Sequence, residues 1–449
     1  MRAGRCSSFV MCSLWVILGL VPVASAKTLC VNPAWKACYK TIQSAVNAAS
    51  PNDIIKVSAG TYMEQVTVWK PLSILGSGAG SAIVDAANLA HGFFVDGYNN
   101  RGLNNVTISG FTVENALYEG ILIVSASDVI VRNNTVKDND TVPNPAGFTG
   151  DLTGCPNQPG SGTYETDETG DCGGAIHLVG AVNCTLSDNY ISGNADGVLI
   201  SDETGESRNN LLIHNVITKN PLECGIVLAS HPRAGTTAMK PIPAHFGVDH
   251  NTVSENVSSE NGVKIGGAGA GLFSDGAGQG IVSGNEIIRN KLTGNGLGGV
   301  ALHSHVGPAF GLPADNFSGN KIVGNFIAGN LADSADTATP GTVGININSG
   351  DGASPVRGTV IAENVIWDEA IDIAVNTPAE VDIHLNSLMG GKIGVGDVCA
   401  LDKSSVCTGT IDATENFWGC QMGPGGKGCT TISGTDIRFA PWLSEFDDH

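Results

Sequence analysis

The sequence predicts an all-β chain wound as a solenoid, and two observations carry that prediction. The first is composition. Of 449 residues, 60 are Gly, only 15% are charged and 42% are hydrophobic. So little charge argues against long surface helices or a coiled coil, and so much apolar content against a disordered tail. The second observation is a short internal repeat that recurs through most of the chain, the mark of stacked coils. A net charge of −20 also makes unaided nucleic-acid binding a poor expectation.

Taken in order, the chain opens on residues 1–26, which read as a secretory signal. Arg2 and Arg5 precede an apolar stretch at 9–23, and Ala24-Ser25-Ala26 has the form of a cleavage site. The apolar run is short for a bilayer, and no later run is long enough, so no membrane span is expected. Residues 27–449 are then expected to form a single domain, secreted or periplasmic. Of twelve Cys, Cys6 and Cys12 fall in the signal. The even remainder suits disulfides in an exported chain. Neighbouring pairs are Cys30 with Cys38, Cys155 with Cys172, Cys399 with Cys407 and Cys420 with Cys429, leaving Cys184 and Cys224 open. No Cys-x-x-Cys occurs, so a zinc ribbon has no support.

The repeat is apolar-x-x-Asn-x-apolar-x-x-Asn. It reads Val131-Asn134-Val136-Asn139, Leu186-Asn189-Ile191-Asn194, Leu212-Asn215-Ile217-Asn220, Val248-Asn251-Val253-Asn256, Val282-Asn285-Ile287-Asn290 and Ile322-Asn325-Ile327-Asn330. Shorter copies are Ile361-Asn364-Ile366 and Ile383-Asn386-Leu388. Period-2 apolar positions face an interior. Asn at the corners is expected to accept αL geometry, bond its own backbone and stack coil upon coil into a ladder. These Asn are structural in this reading.

A second element follows: a small residue, then alternating apolar positions. Copies are Ala175-Ile176-His177-Leu178, Gly197-Val198-Leu199-Ile200, Gly225-Ile226-Val227-Leu228, Gly299-Val300-Ala301-Leu302 and Gly344-Ile345-Asn346-Ile347, with Ala270-Gly271-Leu272-Phe273 a looser one. Insertions sit on both sides of this strand, at 140–174, 257–268 and 331–343 before it, and at 203–209, 231–246, 276–280 and 306–318 after it.

With these repeats, the chain resembles the right-handed parallel β-helix family, the pectin-lyase-like superfold. Thr41-Ile-Gln-Ser-Ala-Val-Asn-Ala-Ala49, then Asp53-Ile-Ile-Lys-Val57 and Gly60-Thr-Tyr62, resemble that family's short N-terminal capping helix and first coil, placing the N-terminal cap at 27–60. Asn416-Phe-Trp-Gly419, Gly423-Pro424 and Pro441-Trp442 resemble its closing segment, within a disulfide-stapled cap at 399–449. The resemblance implies a fold and leaves the activity open, because the superfold carries lyases, hydrolases, esterases, epimerases and binding proteins. The Gly-His-Gly, Gln-Asp-Thr and Asp-Pro-His-Asp motifs of its enzyme groups do not occur.

Loops on both sides would make the second strand the floor of a long groove suited to an extended polysaccharide. At its exit edge stand Asp202 and Glu203, His231, Asp275, and His303 with His305. Asp202 and Asp275 lie two coils apart, roughly 9–10 Å, near the ~6.5–9.5 Å carboxyl spacing of inverting glycosidases. His177 and Asn346 face outward from the floor as sugar contacts. Arg233, Lys240 and Lys264 are the nearest cations should the substrate be a uronate. No cofactor is expected for hydrolysis. A lyase would use calcium bridging through Asp202 and Asp275. The expectation is a polysaccharide-cleaving protein, by hydrolysis ahead of elimination. The rivals are a non-catalytic carbohydrate-binding or cell-surface rod and a periplasmic accessory protein. The lack of Cys/His/Met clusters at ligand spacing counts against metal delivery.

Overall fold

The computed structural model describes residues 26–140, 174–231, 246–264, 266–274, 279–304, 308, 311–332, 341–348, 354–376, 378–397 and 409–445. Three long sheets of 14, 12 and 11 strands run the length of these residues, with a small sheet of three. Each strand pairs in parallel with its equivalent one coil on, as in Ile176↔Val198↔Ile226↔Ala270↔Val300↔Ile345. The architecture is all-β, a right-handed parallel β-helix. Inward rows of Val, Ile and Leu from the three long sheets merge into one continuous core.

The N-terminal end is closed as the sequence suggested. The helix Ile42–Ala48 starts at Thr41, whose hydroxyl accepts the Ser44 N–H at 3.1 Å. The Glu64 carboxylate takes the N–H groups of Ile42 and Gln43 at 2.7 and 2.9 Å, satisfying donors that a helix start leaves open. At the other end Trp418 is fully buried beneath the last coils. The Cys30–Cys38 and Cys420–Cys429 disulfides are present. Residues 1–25, Cys155, Cys172, Cys399 and Cys407 lie outside the described residues. Cys184 and Cys224 are both buried: the Cys184 thiol faces the Val182 carbonyl at 3.6 Å, while Cys224 Sγ accepts the Ala268 N–H at 3.0 Å. No helix among the described residues is long and apolar enough to cross a membrane.

The asparagine ladders exist, in a register different from the one expected. One runs Asn134, Asn189, Asn215, Asn256, Asn290, Asn325, Asn364, Asn386 and Asn416, each Nδ2 donating to the next Oδ1 at 2.9–3.2 Å. A second runs Asn139, Asn194, Asn220, Asn261, Asn295 and Asn330, and ends on Glu369. Asn251 and Asn285, expected alongside Asn215, belong to a third ladder with Asn210 and Asn320. The misassignment has a physical origin. Successive corners in one coil lie five residues apart (Asn251, Asn256, Asn261), so the pattern looks the same after a shift of one strand.

A second correction concerns the backbone. The αL residue is the one before each ladder Asn: Asn133, Asp188, His214, Glu255, Arg289 and Glu363 have φ of 53–58°. Once that residue makes the corner, the Asn side chain turns inward. The loose floor copy is also resolved, with Gly269 rather than Ala270 aligned to Gly225. A Cβ on Gly197 would lie 2.0 Å from the Gly225 carbonyl oxygen, so this row must be small.

Asn290 shows what one rung holds. Its Oδ1 accepts the Asn256 N–H and Nδ2–H, and its Nδ2 bonds Asn325 and the Val253 carbonyl. Each buried polar group stranded by its loss costs about 1–3 kcal/mol. We therefore expect Asn290→Ala to lower unfolding free energy by roughly 3 kcal/mol or more in urea titrations. Arg289→Gly, at the αL corner beside it, should leave stability unchanged or raise it, because glycine carries no αL penalty.

Candidate functional site

The outer face of the 12-stranded sheet is not an open floor. Its outward row, Phe94, Leu122, His177, Leu199, Val227, Ala301, Asn346 and Ala374, is buried throughout. Its apolar members fall into two clusters apart from the main core, one of Phe94 and Leu122 with Val124 and Val179, another of Leu199, Val227 and Ala301 with Leu297.

Between and beside these clusters lies a line of polar side chains, each no more than 3% exposed. His91 precedes the strand Phe93–Asp96, and Glu119 precedes Ile121–Val124. His177 lies within Ile176–Val179, and Ser201 ends Val198–Ser201. Glu203 follows two residues later, and His231 comes directly after Ile226–Ser230. His91 Nδ1 stands 2.6 Å from Glu119 Oε2, a charge contact whose angle falls short of a hydrogen bond. Glu119 Oε1 meets His177 Nδ1 at 3.4 Å, and His177 Nε2 meets the Ser201 hydroxyl at 2.8 Å. Glu203 is placed two residues beyond Ser201, and its Oε1 lies 2.8 Å from His231 Nδ1. Two glutamate–histidine pairs thus lie on either side of the His177–Ser201 bond across five coils.

The electrostatics follow from burial. Desolvation alone would raise the Glu119 carboxyl, but the adjacent His91 and the hydrogen bond from His177 outweigh it and hold it down at about 2. Glu203 is likewise buried yet lowered, through His231 and then His177. Asp140 behaves oppositely. Burial, reinforced by the charge of Glu119, pushes it up to about 8. Near Glu119 there is therefore one carboxyl kept ionised and another kept protonated, a separation used for acid–base work. Asp196 adds a third carboxylate: a Cβ on Gly174 would fall 1.2 Å from its Oδ1, so Gly174 leaves the space that this side chain fills.

The sequence-selected residues divide accordingly. His177, Glu203 and His231 come together in the polar line. Asp202 turns the other way and holds a loop: Oδ1 accepts the His231 N–H, and Oδ2 accepts the Ser230 hydroxyl and the N–H groups of Phe246 and Gly247, at 2.6–3.1 Å. Fully buried beside Glu203, it is raised to about 7 against the pull of those donors. With its oxygens so engaged it does not fit a calcium ligand, and no cluster of three or more ligating side chains occurs among the described residues. His303 is partly exposed and meets Phe273 edge-on at 5.9 Å. Asn346 is buried on the same row as His177 but five coils away, about 24 Å. Lys264 is exposed at a corner. Asp275, His305, Arg233 and Lys240 lie outside the described residues.

His91 and Glu119 escaped the sequence reading, although a signal was available. Gly92-Phe-Phe-Val95 and Gly120-Ile-Leu-Ile123 are two further floor strands, and each is preceded by its polar residue.

A family model described as "right handed beta helix region" matches residues 85–240. No curated protein sequence matches the chain. Among solved structures, the catalytic domain of a GH87 α-1,3-glucanase in complex with tetrasaccharides aligns with a TM-score of 0.55 and 12% identity, covering 92% of this chain and 68% of that one. The mannuronan C-5 epimerase AlgE6 A-module of Azotobacter vinelandii aligns with a TM-score of 0.48 and 14% identity, covering 90% and 94%. A GH87 α-1,3-glucanase catalytic unit from Streptomyces thermodiastaticus gives 0.48 and 14%, covering 95% and 70%. The chain has the right-handed parallel β-helix fold.

The raised carboxyls make a pH prediction. Asp140, Asp202 and Asp372 keep protons in the folded state that the unfolded chain releases near pH 4. Their linkage therefore lowers stability as pH climbs from about 4 to about 8. Glu119 acts in the other direction, losing its contribution below pH 4.5. Thermal unfolding should give a higher Tm at pH 5 than at pH 8.5, and Asp140→Asn should reduce that difference.

Proposed function

We propose that this is an exported polysaccharide-active protein that hydrolyses a glycosidic bond at the His91–Glu119–Asp140 end of the polar line. The observation that carries the reading is the buried His91–Glu119 contact at 2.6 Å with the Asp140 carboxyl close enough for the charge of Glu119 to help raise it. Asp140 supplies the proton to the leaving oxygen. His91, oriented through Nδ1 by Glu119, has no described hydrogen bond at Nε2, where its neutral imidazole takes the proton from the attacking water and becomes the imidazolium that Glu119 stabilises. Glu119 itself is too acidic and too enclosed to act as the base; it positions both imidazoles. His177, Ser201, Glu203 and His231 extend that support. The fold shared with an enzyme named as a glucanase in complex with tetrasaccharides agrees with this substrate class, while the chemistry rests on the carboxyl pair.

A second reading draws on a different observation: the whole line is buried, as befits a network that merely ties coils together. In that case the protein is a carbohydrate-binding or surface rod. Purified residues 27–449 tested on a polysaccharide panel separate the two, with reducing ends and unsaturated uronate absorbance followed in parallel. Hydrolysis gives reducing ends without unsaturation, and kcat should fall as pH rises through about 8, where Asp140 loses its proton. Asp140→Asn and His91→Gln should each lower kcat by about 10²–10⁴-fold with circular dichroism unchanged. Silence on every substrate, or variants that are as active as the parent, would refute the catalytic reading.

A further inference from the structure

The 11-stranded sheet turns a different face to solvent. Its register aligns Tyr190, Val216, Val257, Lys291, Phe326 and Val365 as one outward row on six successive coils. Two positions along, the parallel row carries Trp367, followed by Met389. Tyr190, Phe326 and Trp367 are 46%, 42% and 50% exposed. Large aromatic side chains left this open on a flat sheet mark a surface that something else covers.

Two features of the face define its occupant. Over these coils, in a chain of net charge −20, Lys291 is the only charged residue in either outward row. The charged corner residues Asp188, His214, Glu255 and Arg289 run along one edge of these rows, leaving the strip itself neutral apart from Lys291. Beside the aromatic row runs a hydroxyl row, Ser192, Thr218, Ser259 and Thr293, in which Thr218 and Ser259 bond at 3.0 Å. Aromatic faces with flanking hydroxyls suit the two sides of a sugar ring, apolar C–H groups on one and hydroxyls around its rim. The coil repeat of about 4.8 Å is close to one hexose residue in an extended chain. Phe326 and Trp367 lie on adjacent coils, and Tyr190 lies four coils before Phe326, about 19 Å away.

We infer that this face is a second carbohydrate-binding surface, separate from the polar line, which lays an uncharged polysaccharide chain along the helix axis. It asks nothing of the catalytic reading, because binding here needs no titrating group.

The test is co-sedimentation with insoluble neutral glucans and mannans, using residues 27–449 and the triple variant Tyr190→Ala, Phe326→Ala, Trp367→Ala. Binding by the parent and at least about a tenfold loss in the triple variant is expected, since three ring contacts are removed at once. Trp367→Tyr should retain most of the binding. Equal binding by parent and triple variant, or no binding by either, would overturn the inference. Sedimentation equilibrium covers the rival occupant: a parent dimer that the triple variant dissolves would make the face an interface between two copies. Asp140→Asn should bind like the parent, so a failure of hydrolysis and a failure of this surface would be seen separately.

Discussion

The structure depends on an amide that bonds to its own kind. Parallel coils expose corner N–H and C=O groups that no strand can pair, and burying them unpaired is prohibitive. An inward Asn answers this four times over. Its oxygen takes the side-chain and main-chain donors of the coil before, and its nitrogen gives to the coil after and to a carbonyl below. Three such columns fix the coils in register, and the apolar rows between them then fall into line. The price of mis-registering one coil is therefore a break in every column at once.

This division of labour explains the unusual residues at the corners. Because the ladder Asn turns inward, the preceding residue must adopt αL and point outward, where identity hardly matters. His214, Glu255 and Arg289 fill that position on successive coils and pair with one another at the surface. Such contacts are solvent-exposed and contribute little. His250 occupies the same kind of corner, which accounts for a histidine and an aspartate side by side without any functional demand.

Much of the fold could be read from the sequence because its rule is local and repeated: a five-residue step from Asn to Asn, an apolar residue between, a small residue before the floor strand. The same regularity hid the register, since a self-similar pattern cannot say which corner is which. The site was harder to read. Asp202 and Glu203 are adjacent, and nothing in the dipeptide tells that one carboxylate folds under a loop onto backbone donors while the other meets an imidazole. His91 and Glu119 lie 28 residues apart in sequence and meet only because one coil intervenes. The outward floor row is buried although its positions alternate with inward ones, and alternation alone does not tell a covered face from an open one.

The spacing between rungs carries a broader consequence. Asn364 and Asn386 are joined by 22 residues, whereas Asn134 and Asn189 are 55 apart, yet both pairs make the same bond. A complete coil therefore fits within 22 residues, and longer intervals carry extra sequence without breaking the ladder bond. Segments exchanged at those points would leave the axial register untouched, so the rod acts as a chassis on which one coil's decoration can be replaced without retuning the next.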